Sequence, residues 1–410
     1  MKRIYLDNSA TTKPDQDVVK TMEHINSKYF ANPSSVHSFG QDARKIVDEA
    51  RDFMAFYLNC DSSEIVFTSG GSESDNLAIK GIVEASKIEK PHVITSQIEH
   101  HAVLDTIVEL EREGRIEATY IKPKSNGVIK VEDAEAAIKE NTALVSIMYI
   151  NNEIGTVEPI REIGKMIERV NKKRGEKNKV FFHTDAVQAA EYFQMGTKYL
   201  HVDFLTITAH KFYGPKGVGL LFVKKGTPIK HQIVGGGQES KFRAGTENVA
   251  GIAGMHRAVV DMLKRKADGK MEEAKKSLPS LQVYSETKRI KKLRDKLSKG
   301  LLEISNSRIN GCKTRRSPNN LNISFKNAEG ESILMMLDQA GIAASSGSAC
   351  TSGSLEPSHV LTAIGVTHEW SHGSIRLTLG KDTTEEEIDK VIETMPGIIE
   401  RLRTMSPLKN

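Results

Sequence analysis

From Glu64 to Val223 short apolar runs rich in β-branched residues alternate with amphipathic stretches, and nothing else in the 410-residue chain narrows its fold as much. Residues 65–68, 92–96, 118–121, 143–150, 180–183 and 204–208 read as buried strands. Strands separated by helices run mostly parallel, because each crossover helix carries the chain back to the end of the sheet where it started. The predicted architecture is therefore α/β, a large and mainly parallel sheet with helices on both faces. In such sheets ligands collect at the carboxyl ends of the strands. The polar clusters of this sequence fall there.

Outside that region the pattern changes. A short strand at residues 3–6 precedes Pro14, which opens a helix, and a Pro- and Ser-rich loop at 30–37 leads to a helix at 39–58. Near Lys264 the character changes, with two charged helices at 261–276 and 288–304, a strand at 320–325 and a helix at 331–340. A Ser- and Gly-rich loop, a strand at 374–379 and a helix at 384–405 complete the chain. Thr384 and Glu387 have the spacing of a capping box for that last helix. We read residues 15–262 as a large cofactor-binding domain. Residues 1–14 and 263–410 form a smaller α+β domain, with the N-terminal strand packed back onto it.

Composition excludes several classes. No stretch approaches the roughly 20 apolar residues of a membrane span, and Asp7 comes too early for a signal peptide. Three cysteines, Cys60, Cys312 and Cys350, lack metal-ligand spacing, so we expect no metal site, free thiols and a cytoplasmic setting. Between Asp261 and Gly300 thirteen Lys/Arg stand against six Asp/Glu. Without interleaved aromatics these are solvated helix faces, and no nucleic-acid partner is expected.

The chemistry gathers at strand ends. Lys211 follows the strand 204–208 and precedes a Gly-Pro-Lys-Gly turn. An amine held there by a rigid sheet suits a Schiff base with a carbonyl cofactor, or else it is a surface lysine in a hairpin. Thr68-Ser69-Gly70-Gly71-Ser72-Glu73-Ser74 opens a helix, where exposed backbone N–H groups and the helix dipole suit a phosphate. A Ser72/Asp75 capping box would explain the same serine. Asp185 ends another strand, with Gln188 after it. A carboxylate there either keeps a pyridine nitrogen protonated or caps a helix. Glu99-His100-His101 and Asn151-Asn152-Glu153-Ile154-Gly155 occupy equivalent places. The loop Ser345-Ser346-Gly347-Ser348-Ala349-Cys350-Thr351-Ser352-Gly353-Ser354 gives Cys350 only small neighbours, which fits a nucleophile or carrier thiol. Arg376, in an apolar strand, needs an anionic partner: a substrate carboxylate or an internal acid.

Together these residues resemble the cysteine desulfurases of the NifS/IscS family, pyridoxal-phosphate enzymes of the aspartate-aminotransferase fold (fold type I). The resemblance runs from Tyr5-Leu6-Asp7-Asn8-Ser9-Ala10-Thr11-Thr12 to Ser374-Ile375-Arg376. The His210-Lys211 pair and the Ser-Ser-Gly-Ser-Ala-Cys loop are its most specific parts. It implies that Lys211 forms the Schiff base and acts at the substrate Cα, and that His100 stacks on the cofactor ring and moves protons. Asp185 would pair with the ring nitrogen, and Asn151 and Gln188 would reach the ring oxygen. Gly71, Ser72, Thr208 and His210 would hold the phosphate, joined by Thr246 from the second subunit of a homodimer. Asn151 and Arg376 would bind substrate, and Cys350 would take the sulfur of L-cysteine as a persulfide, leaving L-alanine. The implied partner is a sulfur acceptor such as an iron–sulfur scaffold protein. The stretch Lys264 to Lys288 is longer and more basic than the family pattern, and little follows Ser406-Pro407-Leu408, so the acceptor is left open. The same residues would also serve a selenocysteine lyase, the alternative reading.

Overall fold

The computed structural model describes residues 3–175, 178–266, 285–346 and 357–405. Its strands are β1 (Ile4–Tyr5), β2 (Ile65–Thr68), β3 (His92–Ser96), β4 (Glu117–Ile121), β5 (Thr142–Ser146), β6 (Phe181–Asp185), β7 (Phe204–Thr208), β8 (Gly219–Val223), β9 (Ser307–Ile309), β10 (Asn320–Phe325), β11 (Ile342–Ala343) and β12 (Ser374–Thr378). Seven of them form a sheet in the order β2-β8-β7-β6-β5-β3-β4. Strands β3 to β7 are parallel throughout, while β8 runs antiparallel to both β2 and β7. The crossovers are helical, as the alternation predicts. The β7–β8 connection, residues 209–218, has no crossover α-helix, and it joins antiparallel neighbours.

Successive residues of a strand face opposite sides of the sheet, and both sides are covered. Val145, Leu205 and Ile207 enter one core with Phe182 and the helices Ser38–Leu58, Ile160–Arg174 and Val249–Lys266. Leu144 and Phe204 enter the other, with the helices Gly71–Ala85 and His101–Arg112. Each such fully buried side chain contributes about 1.5–3 kcal/mol. The sheet is thus a rigid floor, and what sits at its strand ends is held in place.

A separate core contains Leu321, Ile323, Phe325, Leu377, Ile388 and Ile399. It lies on the antiparallel sheet β12-β10-β9 and the helix Glu385–Met405. Ile4 and Leu6 belong to this core, and β1 pairs with β11 in parallel, so the chain's start lies beside its last third. Thr384 and Glu387 form the capping box reciprocally.

Three boundaries depart from expectation. β5 ends at Ser146, not at Ile150. Ile147 and Tyr149 still donate to the β6 carbonyls of His183 and Asp185, but Met148 N turns to the Glu99 carboxylate, so pairing toward β3 stops. β6 extends to Asp185 itself. The helix expected from residue 261 starts at Val249, and position 262 lies inside it. Gly251 and Gly254 hide its pattern. A Cβ on Gly254 would come within 3.1 Å of Met22 and Pro215, so the glycine permits close helix approach. The remainder of the expected 261–276 helix lies largely outside the described residues.

Glu158 is a buried acid away from the strand ends. Its Oε2 accepts from Ile129 N at 2.7 Å and its Oε1 has no hydrogen-bond partner. Burial pushes its carboxyl up to about 8. Between the unfolded value near 4.5 and about 8, the folded protein keeps a proton that the unfolded chain has lost. Stability therefore falls as pH rises through that window, by about a few kcal/mol. Denaturant unfolding at pH 5 and pH 8 should show this slope in the wild type and a flatter one in Glu158→Gln.

Candidate active site

β7 ends at Thr208, and the turn Ala209–Lys211 follows directly. Tyr213 takes φ +67°, and its N–H donates to Thr12 Oγ1 at 2.7 Å, which ties the turn to the N-terminal segment. Lys211 Nζ donates to the carbonyls of Ser9 (2.6 Å) and Ala10 (2.8 Å). Gln188 Nε2 donates to the same Ser9 carbonyl at 3.0 Å. These two carbonyls aim the amine. Beside it His210 Nδ1 meets Thr11 Oγ1 at 3.1 Å. Burial, then Lys211 and Lys216, pushes His210 down to about 4, so it is neutral.

Asp185, the last residue of β6, accepts from Val187 N at 2.9 Å. Burial raises its carboxyl to about 6, with Asp75 adding to the shift and His100 opposing it. Asp75 is itself buried and pushed up to about 7, and its Oδ1 has no hydrogen-bond partner. The nearest ring nitrogen to it is His183 Nε2, at 3.5 Å. His183 is bound to Ser146 and Thr206 and pushed down to about 4 by burial. The Ser72/Asp75 capping box does not form: Asp75 faces inward, and Glu73 takes Ser69 N instead. Ser72 is left exposed at the helix start, with Thr208 nearby on β7.

His100 caps the helix His101–Arg112 by accepting from Ala102 N at its Nδ1 (3.1 Å). Burial keeps its pKa below the usual value despite Asp185. In the neutral ring the proton is therefore on Nε2. Glu99 is fully buried. Its Oε1 accepts from Ser96 Oγ and Met148 N, its Oε2 has no partner, and burial raises its carboxyl well above the carboxylate range.

Asn151 requires a correction. Its side chain is fully buried and consumed by the loop: Nδ2 donates to Ile98 O, and Oδ1 accepts from Glu153 N and Ile154 N. Asn152, the next residue, lines the cleft. Two adjacent asparagines look alike in sequence, and only the turn decides which one faces inward. Arg376 is 2 % exposed and has the internal partner that the sequence allowed for. Its Nη2 donates to Asp7 Oδ1 and its Nη1 to Asn152 O, both at 2.9 Å, and its Nε has no partner.

These groups surround one cleft of about 350 Å³. It brings together the predicted Gly71, Ser72, His100, Asp185, Gln188, Thr208, His210, Lys211 and Arg376. Thr246 is not on it. That residue is exposed and lines a separate depression of about 130 Å³ with Ser69, Arg243 and Gly245. Cys350 lies outside the described residues, as do most of its loop, positions 267–284 of the basic stretch and Ser406-Pro407-Leu408. The described chain before that loop ends beside Arg376, whose backbone bridges to Ser345. Among the described residues, Asp75, Glu99, Asp7 and Asn152 were missed as site residues. Asp7 and Glu99 stood within motifs already read, but nothing in a sequence marks a carboxylate as buried.

The cleft's chemistry fits a pyridine-ring phosphate aldehyde. Asp75 Oδ1, Glu99 Oε2 and Arg376 Nε are buried polar atoms without partners in residues that line it. Such groups are costly unless something pairs with them. Gly71 has no room for a side chain, since a Cβ would sit 3.0 Å from Val187, so its backbone stays bare at a helix N-terminus.

Residues 4–391 match the aminotransferase class-V family, and the chain belongs to it. The cysteine desulfurase IscS of Methanosarcina thermophila is 46% identical over 407 residues, covering 99% of this chain and 94% of that protein. A solved NifS-like protein superposes with a TM-score of 0.85 at 36% identity, covering 97% of this chain and 100% of that one. SspA in complex with cysteine gives 0.77 at 33% identity, covering 93% and 100%. Within class V, the chain is a member of the cysteine desulfurases. The cofactor of this family is pyridoxal 5'-phosphate, and the fold is the α/β type I fold of such enzymes.

Proposed function

We propose that the protein converts L-cysteine to L-alanine and carries the removed sulfur on Cys350 as a persulfide. The observation that carries this reading is the arrangement of Lys211, Asp185 and Arg376 around one cleft: an aimed amine, a buried acid and a buried guanidinium. Bound pyridoxal phosphate supplies an electron sink that makes the substrate's Cα proton removable. Asp185 would hold the ring nitrogen, and its burial would strengthen that contact. Gly71, Ser72, Thr208 and His210 would hold the phosphate, and Gln188 would reach the ring oxygen. Arg376 takes the substrate carboxylate, which fixes the Cα–H bond relative to Lys211. Lys211, as a neutral amine, would take that proton and later return it to Cα, and neutral His100, whose proton is on Nε2, would present that proton to the substrate side chain. The Cys350 thiolate attacks the substrate sulfur. The S–S bond forms, the C–S bond breaks, and its electron pair collects a proton to complete the methyl group of alanine.

The test is to supply L-cysteine to the holoenzyme and measure alanine and persulfide together. Persulfide formed in step with alanine supports the reading, whereas little sulfur released from L-cysteine and much higher turnover of selenocysteine, with Cys350 dispensable, favours the selenocysteine alternative. Two other thiols are poor candidates. Burial pushes Cys60 up to about 12. Cys312 is buried off the cleft, with its sulfur accepting from Arg315 N.

We assign the cofactor site to a homodimer in which Thr246 reaches the partner's phosphate, since Thr246 is exposed and turned away from its own cleft. Thr246→Ala, or dilution to monomer, should weaken cofactor retention by about tenfold, one hydrogen bond to a charged group being worth roughly that. A stable monomer with full cofactor content in sedimentation would exclude this arrangement. We assign a large unit of residues 15–262 and a small unit of 1–14 and 263–410; two separate cores support two units, although Leu263 packs on the larger one. Among the described residues no helix is long and apolar enough to cross a membrane, and Cys60 and Cys312 are unpaired. A cytoplasmic enzyme feeding a sulfur-acceptor protein such as an iron–sulfur scaffold accords with both.

A further inference from the structure

Arg376 is a deeply buried cation on the cleft, and it already has a counter-ion. Asp7 Oδ1 stands 2.9 Å from its Nη2, with the two side chains 2 % and 21 % exposed. Both ends of this pair are fixed by backbone. Asp7 bridges to Thr378 on β12, two residues beyond Arg376, and Asn8 N donates to Thr378 O. Tyr5 Oη donates to the Asp7 carbonyl at 3.1 Å, and Ala10 N donates to the same oxygen. Asn152 O holds Nη1 at 2.9 Å. Backbone pairing thus fixes where Asp7 and Arg376 sit, and Asp7 and Asn152 together hold the guanidinium.

A buried guanidinium without an anion is strongly unfavourable, so Asp7 pairs with Arg376 and orients it. The same carboxylate works against the substrate. A substrate α-carboxylate placed on Arg376 brings a second negative charge to a pair that is already neutral, in a site where screening is weak. We propose that Asp7 sets the affinity of the cleft for carboxylate substrates, as a resident counter-ion with which the substrate must share Arg376. It is a positioning and specificity residue, acting through Arg376. This rests on the reading of Arg376 as the carboxylate site. The expected consequence is moderate affinity for small amino acids and ready release of the product, which keeps the same carboxylate.

The test uses the holoenzyme and two unreactive probes, L-alanine and L-alaninamide, whose binding is read from the cofactor's absorbance. They differ only in the carboxylate. Asp7→Asn keeps an oxygen for Nη2 and removes the charge. It should tighten L-alanine by about five- to tenfold, since one nearby unit charge commonly shifts an ionic equilibrium by a power of ten or more. Alaninamide should change by less than about twofold, and KM for L-cysteine should fall while kcat holds or declines as product leaves more slowly. Asp7→Ser, also neutral and able to accept, is the second variant should the first fold poorly, and Asp7→Glu should restore near wild-type affinity. Unchanged or weaker L-alanine binding in both neutral variants overturns the proposal, as does equal tightening of the amide. Arg376→Gln separates the two layers. If it leaves L-alanine binding unchanged, the carboxylate role of Arg376 itself fails, and the role of Asp7 with it.

Discussion

Lys211→Ala should produce no alanine above about one part in 10⁴ of the wild-type rate. A positioned acid–base group alone is worth up to that factor, and here the same amine also anchors the cofactor. The fold should survive. Lys211 Nζ donates to the Ser9 and Ala10 carbonyls, and those lie at the cleft edge where water can replace it. Cofactor should still bind, more weakly, through the phosphate cradle and Asp185. Adding a small primary amine such as methylamine should restore a fraction of the rate, because it replaces the missing group and nothing else. Turnover near the wild-type rate in the unsupplemented variant would remove Lys211 from the reaction.

Cys350→Ala should have the next largest effect, of a different kind. Only the sulfur nucleophile is lost, so the protein should remain yellow and its absorbance should still change on adding L-cysteine. Alanine release should drop by at least about 10²-fold, the scale on which loss of one reacting group is felt. Persulfide trapping followed by peptide mass analysis should find label on Cys350 in the wild type and none in the variant. A double change of Cys60 and Cys312 should leave turnover within about twofold, since Cys60 is suppressed by burial and Cys312 lies off the cleft. Label on either of those two in place of Cys350 would show the wrong thiol had been assigned.

Asp75 and Asp185 show how two acids with one appearance in sequence acquire linked behaviour in space. Both are buried, and Asp75 contributes to raising Asp185. Asp185 was readable because it ends a strand and precedes a glutamine at a useful spacing. Asp75 was readable only as a capping residue, and that reading failed because Glu73 is better placed to take Ser69 N. The asparagine pair gives the same lesson at finer scale. The stretch was identified correctly as a site loop, but Asn151 builds the loop while Asn152 faces the cleft.

What the sequence determined by itself was the class of fold and the places where chemistry gathers. Hydrophobic periodicity is a local property. The strands β2, β3 and β7 could be bounded to the residue because every residue in them is buried and the next is polar or turn-forming. Strand ends then localise Lys211, Asp185, His100 and the Gly71 helix start without any knowledge of contacts. Only the tertiary structure decided which polar groups are paired. That Arg376 rests on Asp7, 369 positions away in sequence, follows from the N-terminal segment returning to β12, where Asp7 bridges to Thr378. That Lys211 is aimed by Ser9 and Ala10 follows from the same return. Such pairings depend on how distant strands are brought into register, and the energy that sets the register is spread over whole cores, with no single residue to announce it.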